Sequence, residues 1–316
     1  MARSWNGRSS RRSSGSAVGR PVRERHRVRG PVKIGVCSAN SGPYTTREAL
    51  LEVGDQSEAV GIESIWVSEH LVVADPREPP SQMNPEDPIL GPVATLAFLA
   101  GTTRSVLLGT GVVVLPLRNP LILAKELATV DVLSGGRLLF GVGVGYVEQE
   151  FEALGVPFDD RGPRTEEYLA AIREVWTATR PSFDGRTVKV EGVQAHPHPV
   201  QHPHPPIVMG GYAAPVMRRT IREADGWYGW GMDLDATGRR LAELRETASR
   251  VPRGEGLGPL EITITPPGDV DVETAARYAA LGVDRLNLML PWESGRLDSF
   301  FERVVQPLVD ADPEPG

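Results

Sequence analysis

From Val32 onward the chain alternates short, nearly continuous apolar runs with longer stretches in which apolar positions recur at helical spacing. A continuous apolar run marks a strand buried on both faces, and a 3.6-residue recurrence marks an amphipathic helix. The runs predict strands over residues 32–37, 64–68, 106–110, 138–142, 207–210, 226–230, 260–265 and 284–290. The periodic stretches predict helices over 46–60, 92–101, 121–133, 165–179, 215–223, 235–250, 273–281 and 297–309. Each strand is followed by one helix. Such βα units bury a parallel sheet beneath helices.

Eight units in about 280 residues match the size of a (β/α)8 barrel. A doubly wound sheet uses the same units, and periodicity alone does not separate the two. Residues 181–206 interrupt the alternation with an Asp184-Gly185 turn, a short alternating stretch and a proline-rich run. They predict a small hairpin and an extended loop before the fifth strand.

The stretch from Leu138 to Tyr168 is the most distinctive in the chain. Gly141, Gly143 and Gly145 strip the side chains from one face of a strand end, so a flat or anionic group can lie against bare backbone. An acidic link ending in Glu150-Phe151 follows, then a Gly155-Val156-Pro157-Phe158 turn and the series Arg161, Arg164, Glu167. A dinucleotide-binding Rossmann turn does not match. The spacing is G-x-G-x-G rather than G-x-G-x-x-G, and Pro157 breaks the chain where the crossover helix would run.

In this order, G-V-G-x-G, E-F, G-V-P-F and R-x-x-R-x-x-E resemble the bacterial-luciferase-like monooxygenase superfamily, and within it the deazaflavin (coenzyme F-420)-dependent oxidoreductases. The resemblance covers nearly all of residues 31–310. It implies an α/β fold, a luciferase-like (β/α)8 TIM barrel with a short insertion before the fifth strand. It also implies an oxidoreductase that uses coenzyme F-420 for hydride transfer with a small organic substrate. An FMNH2-dependent two-component monooxygenase of the same fold is the alternative, since FMN and the deazaflavin share a tricyclic ring and a ribityl phosphate. A non-catalytic barrel that binds a small molecule is a second alternative. The polyanionic tail of the deazaflavin calls for cations at the rim, for which Arg161 and Arg164 are candidates.

Composition narrows the partners. Residues 1–30 hold nine arginines and one glutamate, a net of +8, so the remainder carries −15 of the total of −7. That basic, Ser- and Gly-rich start predicts a disordered tail ahead of a barrel domain over 31–310. The acidic body argues against nucleic acid, and no apolar run is long enough to span a membrane. Cys37 is the one cysteine, which excludes an internal disulfide framework and fits a cytoplasmic location. The resemblance adds a flavin or deazaflavin reductase as functional partner and is compatible with a homodimer.

In a barrel, chemistry gathers at the C-terminal strand ends. The second strand runs into Ser68-Glu69-His70, a carboxylate and an imidazole suited to acid–base work. The resemblance implies His70 as catalytic proton donor or acceptor and Glu69 as a contact to the cofactor ring. It further implies a non-proline cis peptide at Gly111–Val112 behind that ring. Gly143, Val144, Gly145 and Tyr146 would wrap the ribityl chain and ring edge. Relatives that oxidise sugar phosphates carry a carboxylate where Tyr146 stands, so their substrate chemistry does not transfer.

Gly210, Gly211 and Tyr212 lie between a strand and a helix start, where backbone N–H groups form an anion nest. They resemble the family's cofactor-phosphate loop. Asn40, Tyr44, Trp230 and Trp292 are the candidate substrate contacts. His196, His198, His202 and His204 have the density of a zinc site. Intervening prolines hold that run extended, so the side chains are expected to diverge and no metal is assigned.

Overall fold

The computed structural model describes residues 32–311; the expectation for the tail over 1–30 lies outside them. Eight parallel strands form the sheet: Lys33–Cys37, Ser64–Val67, Leu107–Thr110, Leu138–Gly143, Ile207–Gly210, Gly226–Gly229, Glu261–Ile264 and Arg285–Met289. The first pairs with the eighth from Lys33↔Arg285 to Cys37↔Met289. The third meets the fourth at Leu108↔Leu138, which closes the ring. Closure decides for the barrel over the doubly wound sheet.

Around the ring lie the helices Arg47–Val60, Pro92–Thr102, Pro120–Ser134, Arg161–Thr177, Ala214–Glu223, Leu234–Arg250 and Val272–Leu281. Their starts follow local chemistry. The Thr46 hydroxyl accepts from Ala49 N at 3.2 Å, and Asn119 caps a helix whose first residue is Pro120. The single helix expected over 297–309 is instead a composite of Leu297–Phe300, a π-turn at Phe301–Val305 and Gln306–Asp310. Pro307 has no N–H for the carbonyl of Arg303, and the ladder widens ahead of it.

The insertion forms the expected hairpin, Phe183–Asp184 against Lys189–Val190. Two elements were not expected. A two-residue strand, Val113–Val114, pairs with Val142 and Gly143 at the top of the fourth strand. A short helix, Glu148–Ala153, follows that strand. Both lie at the C-terminal mouth of the barrel.

The core has two parts. Between barrel and helices lies a continuous apolar shell that includes Ile65, Leu99, Leu127, Phe140 and Trp176. Burying each such side chain stabilises the fold by about 1.5–3 kcal/mol. Inside the barrel a smaller cluster unites Cys37, Trp66, Leu139, Val208 and Tyr228, with Val112 and Trp230 packed against it. The Trp66 and Tyr228 rings meet tilted by 37° with centroids 5.5 Å apart, and the Tyr228 hydroxyl lies 2.8 Å from that of Thr265.

The N-terminal end is plugged by charge. Arg285, 1% exposed, donates to Glu63 and Glu261 and lies over the Trp66 ring. Lys33 pairs with the same two carboxylates at 3.1 and 2.7 Å. A site can open only at the opposite end.

Candidate functional site

At the C-terminal mouth the end of the second strand is fixed first. The Asn40 amide donates to Ser68 O at 2.8 Å and Leu90 O at 2.6 Å, and its oxygen accepts from Ser68 N at 2.8 Å. Asn40 is fully buried. It clamps two loops together, with both amide hydrogens spent on backbone carbonyls. Tyr44 is held in the same way. It is buried, its hydroxyl donates to Pro291 O at 2.7 Å, and burial pushes that hydroxyl up to about 12.

Beyond the clamp, Glu69 turns inward. Its carboxylate accepts from Val114 N at 2.6 Å and Arg118 Nε at 2.9 Å, with a further bond from Arg118 Nη2. Burial raises its carboxyl above the usual carboxylate range, against the pull of Arg118. Oε2 thus holds Val114 N and Oε1 holds Arg118, so Glu69 anchors the neighbouring bulge. That bulge holds the cis Gly111–Val112 peptide, at the bond the sequence pointed to.

Val112 sits level between two strand ends. A Cβ on Gly143 would stand 2.8 Å from its Cγ2, and one on Gly210 would stand 3.4 Å from its Cγ1. Glycine at 143 is thus what lets the Val112 side chain lie there. The result is an apolar floor with bare backbone on two sides, the surface a planar ring system requires. The residues present fit a tricyclic cofactor.

His70 stands at the edge of this mouth. The Tyr146 ring meets it edge-on, with centroids 6.1 Å apart and planes at 87°. His70 Nδ1 lies 3.1 Å from Glu150 Oε1, and Glu150 is 1% exposed. Burial raises the Tyr146 hydroxyl, helped by the charge of Glu150. Sequence reasoning missed Glu150 and Arg118 as site residues. Each acts across a long separation in the chain, and only Glu150 stood inside a noticed motif.

On the far side, Gly210 and Gly211 precede the helix Ala214–Glu223. Gly211 O accepts from Trp227 Nε1 at 3.0 Å. The Tyr212 hydroxyl donates to Trp230 O at 2.8 Å and accepts from Trp230 N at 3.0 Å, which ties this loop to the next. Trp230 keeps a partly exposed ring beside the interior cluster. Trp292 is half exposed and lies across Gly42. Val144 and Gly145 continue the fourth strand toward Tyr146 and are partly exposed.

The rim cations differ. Arg164 is bound to Asp160 at 3.1 and 2.8 Å and to the Tyr168 hydroxyl at 3.0 Å. Arg161 lies 3.7 Å over the Phe158 ring, and its buried Nε has no partner among the described residues. The histidine run also departs from expectation. His196 and His198 stack at 4.7 Å instead of diverging. Their planes are 18° from parallel, so the in-plane lone pairs do not meet at one point.

The sequence profile of the luciferase-like monooxygenase family matches residues 32–282. The chain belongs to that family, and the protein is an oxidoreductase. It is 31% identical over 247 residues to the uncharacterized protein Rv0953c of Mycobacterium tuberculosis, spanning 74% of this chain and 84% of that protein. It is also 31% identical over 134 residues to an FMNH2-dependent dimethylsulfone monooxygenase of Pseudomonas putida, spanning 42% of this chain and 37% of that enzyme. Among solved structures, an F420-dependent secondary alcohol dehydrogenase bound to an F420–acetone adduct superposes with a TM-score of 0.72. At 16% identity it covers 89% of this chain and 99% of that one.

Proposed function

We propose that this oxidoreductase binds coenzyme F-420 and uses it for hydride transfer with a small organic substrate. The observation that carries the proposal is the floor of Val112 between Gly143 and Gly210, at a strand end whose chain runs on to Tyr146 and its ring contact with His70. When bound, the cofactor supplies two-electron chemistry. The chain supplies the rest. Val112 would support the ring, and Gly143, Val144, Gly145 and Tyr146 would hold the cofactor beside it. Gly210 and Gly211, with the start of the helix Ala214–Glu223, take the phosphate through backbone N–H groups. Arg161, whose Nη1 donates to Phe158 O and whose guanidinium lies over the Phe158 ring, is the rim cation for the anionic tail. Glu69 acts indirectly, by pinning Val114 and so the bulge. His70 is the proton partner of the substrate, and Trp230 and Trp292 face it. A deazaflavin reductase keeps the cofactor supplied.

A second reading is use of reduced FMN, supplied by a flavin reductase. It is favoured by the match to the dimethylsulfone monooxygenase and by Arg164 being already neutralised by Asp160. Titration of the purified protein with each reduced cofactor separates the two. Saturable binding of reduced F-420 is expected; submicromolar binding of FMNH2 alone overturns the first reading. His70→Ala is expected to abolish turnover while cofactor affinity is kept. Full turnover in that variant removes His70 from the chemistry.

A further inference from the structure

We propose that Glu150 is a positioning residue that decides which nitrogen of His70 carries the proton. The proposal rests on the reading of His70 as proton partner and adds the device that sets it. Glu150 sits in the short helix Glu148–Ala153 with its carboxylate out of solvent. Among the described residues its only hydrogen-bond partner is His70 Nδ1, at 3.1 Å. An ionised carboxylate can only accept, so Nδ1 must be the N–H donor and the lone pair of the neutral ring lies at Nε2.

The neighbouring sequence makes the placement rigid. Phe151, fully buried, meets Phe158 edge-on at 5.1 Å and packs with Val114 and Leu117. That anchor holds the adjacent Glu150 at a fixed depth. The E-F pair noticed in the sequence therefore divides its work, with the phenylalanine seating the helix and the glutamate reaching the imidazole. Glu69, the chain neighbour of His70, is engaged elsewhere, by Val114 N and Arg118. Tyr146 closes another side of the ring.

Nε2 is then the working nitrogen. A proton leaving a substrate hydroxyl breaks its O–H bond and forms Nε2–H, and the imidazolium so made stands against the Glu150 carboxylate. In the reverse direction Nε2–H delivers the proton to a carbonyl oxygen. Reversing the tautomer would leave Nε2 without a lone pair and stop proton abstraction, with the ring still in place.

Two-bond 1H–15N correlation spectra of the 15N-labelled full chain without cofactor test this, with His70→Ala assigning the signals. The neutral His70 ring is expected as the Nδ1–H tautomer, and Glu150→Leu, which offers no acceptor, is expected to shift it toward Nε2–H. A wild-type ring already in the Nε2–H form, or a tautomer unmoved by Glu150→Leu, overturns the proposal. The wild-type spectrum decides even if the variant does not fold. With whichever reduced cofactor binds, Glu150→Gln is expected to lower turnover by about 100-fold or more. Cofactor affinity is expected to hold, and Glu150→Asp to restore part of the rate. Equal loss of affinity and rate marks Glu150 as merely structural and overturns the proposal. If His70→Ala keeps full turnover while the tautomer results hold, the proton-partner reading fails and the positioning of the ring stands.

Discussion

Arg118, on the connection after the third strand, grips the buried carboxylate of Glu69 at the end of the second. The pair fastens two neighbouring strand ends directly behind the Gly111–Val112 bulge. Removing one partner of such a pair leaves an uncompensated charge, at about 3–5 kcal/mol. Arg118→Leu is expected to lower stability by that amount in urea unfolding. The double variant Glu69→Gln/Arg118→Leu should recover part of it, since the stranded carboxylate is gone. Strict additivity of the single effects would show that the two side chains do not act as a pair.

Gly141 tolerates nothing larger. A Cβ there would stand 1.8 Å from the backbone carbonyl oxygen of Thr110, which cannot move without opening the third strand. Gly141→Ala is expected to destabilise by about 4 kcal/mol or more, or to yield insoluble chain. Gly268→Ala, with no atom within 4 Å of the new methyl, is the control and should melt like the parent. Thermal unfolding followed by circular dichroism compares them.

These two sites show what the sequence could and could not convey. The strands were legible to within one residue at each end, because a strand buried on both faces writes itself as an apolar run. The glycines were legible as bare backbone at strand ends, and two of them, Gly143 and Gly210, flank Val112. The partners were not. Glu69 meets Arg118, and His70 meets Glu150 from 80 positions away, through tertiary contacts that no local period records. Asn40 and Tyr44 look like pocket residues by type. Only burial and their backbone partners reveal them as clamps.

Cys37 should be silent to reagents. Burial pushes its thiol up to about 12, so thiolate is absent at ordinary pH. Native protein at mildly alkaline pH is expected to resist a thiol-reactive chromophore for hours and to react at once in denaturant. Prompt labelling of the native chain would contradict the barrel-interior placement.

Glu58 predicts an acid limb. Partial burial pushes its carboxyl up, but bonds from Val106 N, Ser105 N, Arg104 N and the Ser105 hydroxyl outweigh this and bring it down to about 2. A group depressed in the folded state contributes stability above its unfolded value of about 4.3 and loses it as pH falls toward 2. Glu58→Gln is expected to cost about 1–2 kcal/mol at neutral pH and to flatten the decline between those limits. An unchanged slope in urea unfolding at stepped pH would rule this out.

The charged plug of Arg285, Lys33, Glu63 and Glu261 gives the barrel one doorway. Everything that enters must leave past the same threshold, where Tyr146, Trp230 and Trp292 stand. On the proposed reading, a cofactor settled against Val112 would be covered by the substrate and would leave after it, so the stoppered end of the molecule would set the order of arrival from a full strand length away.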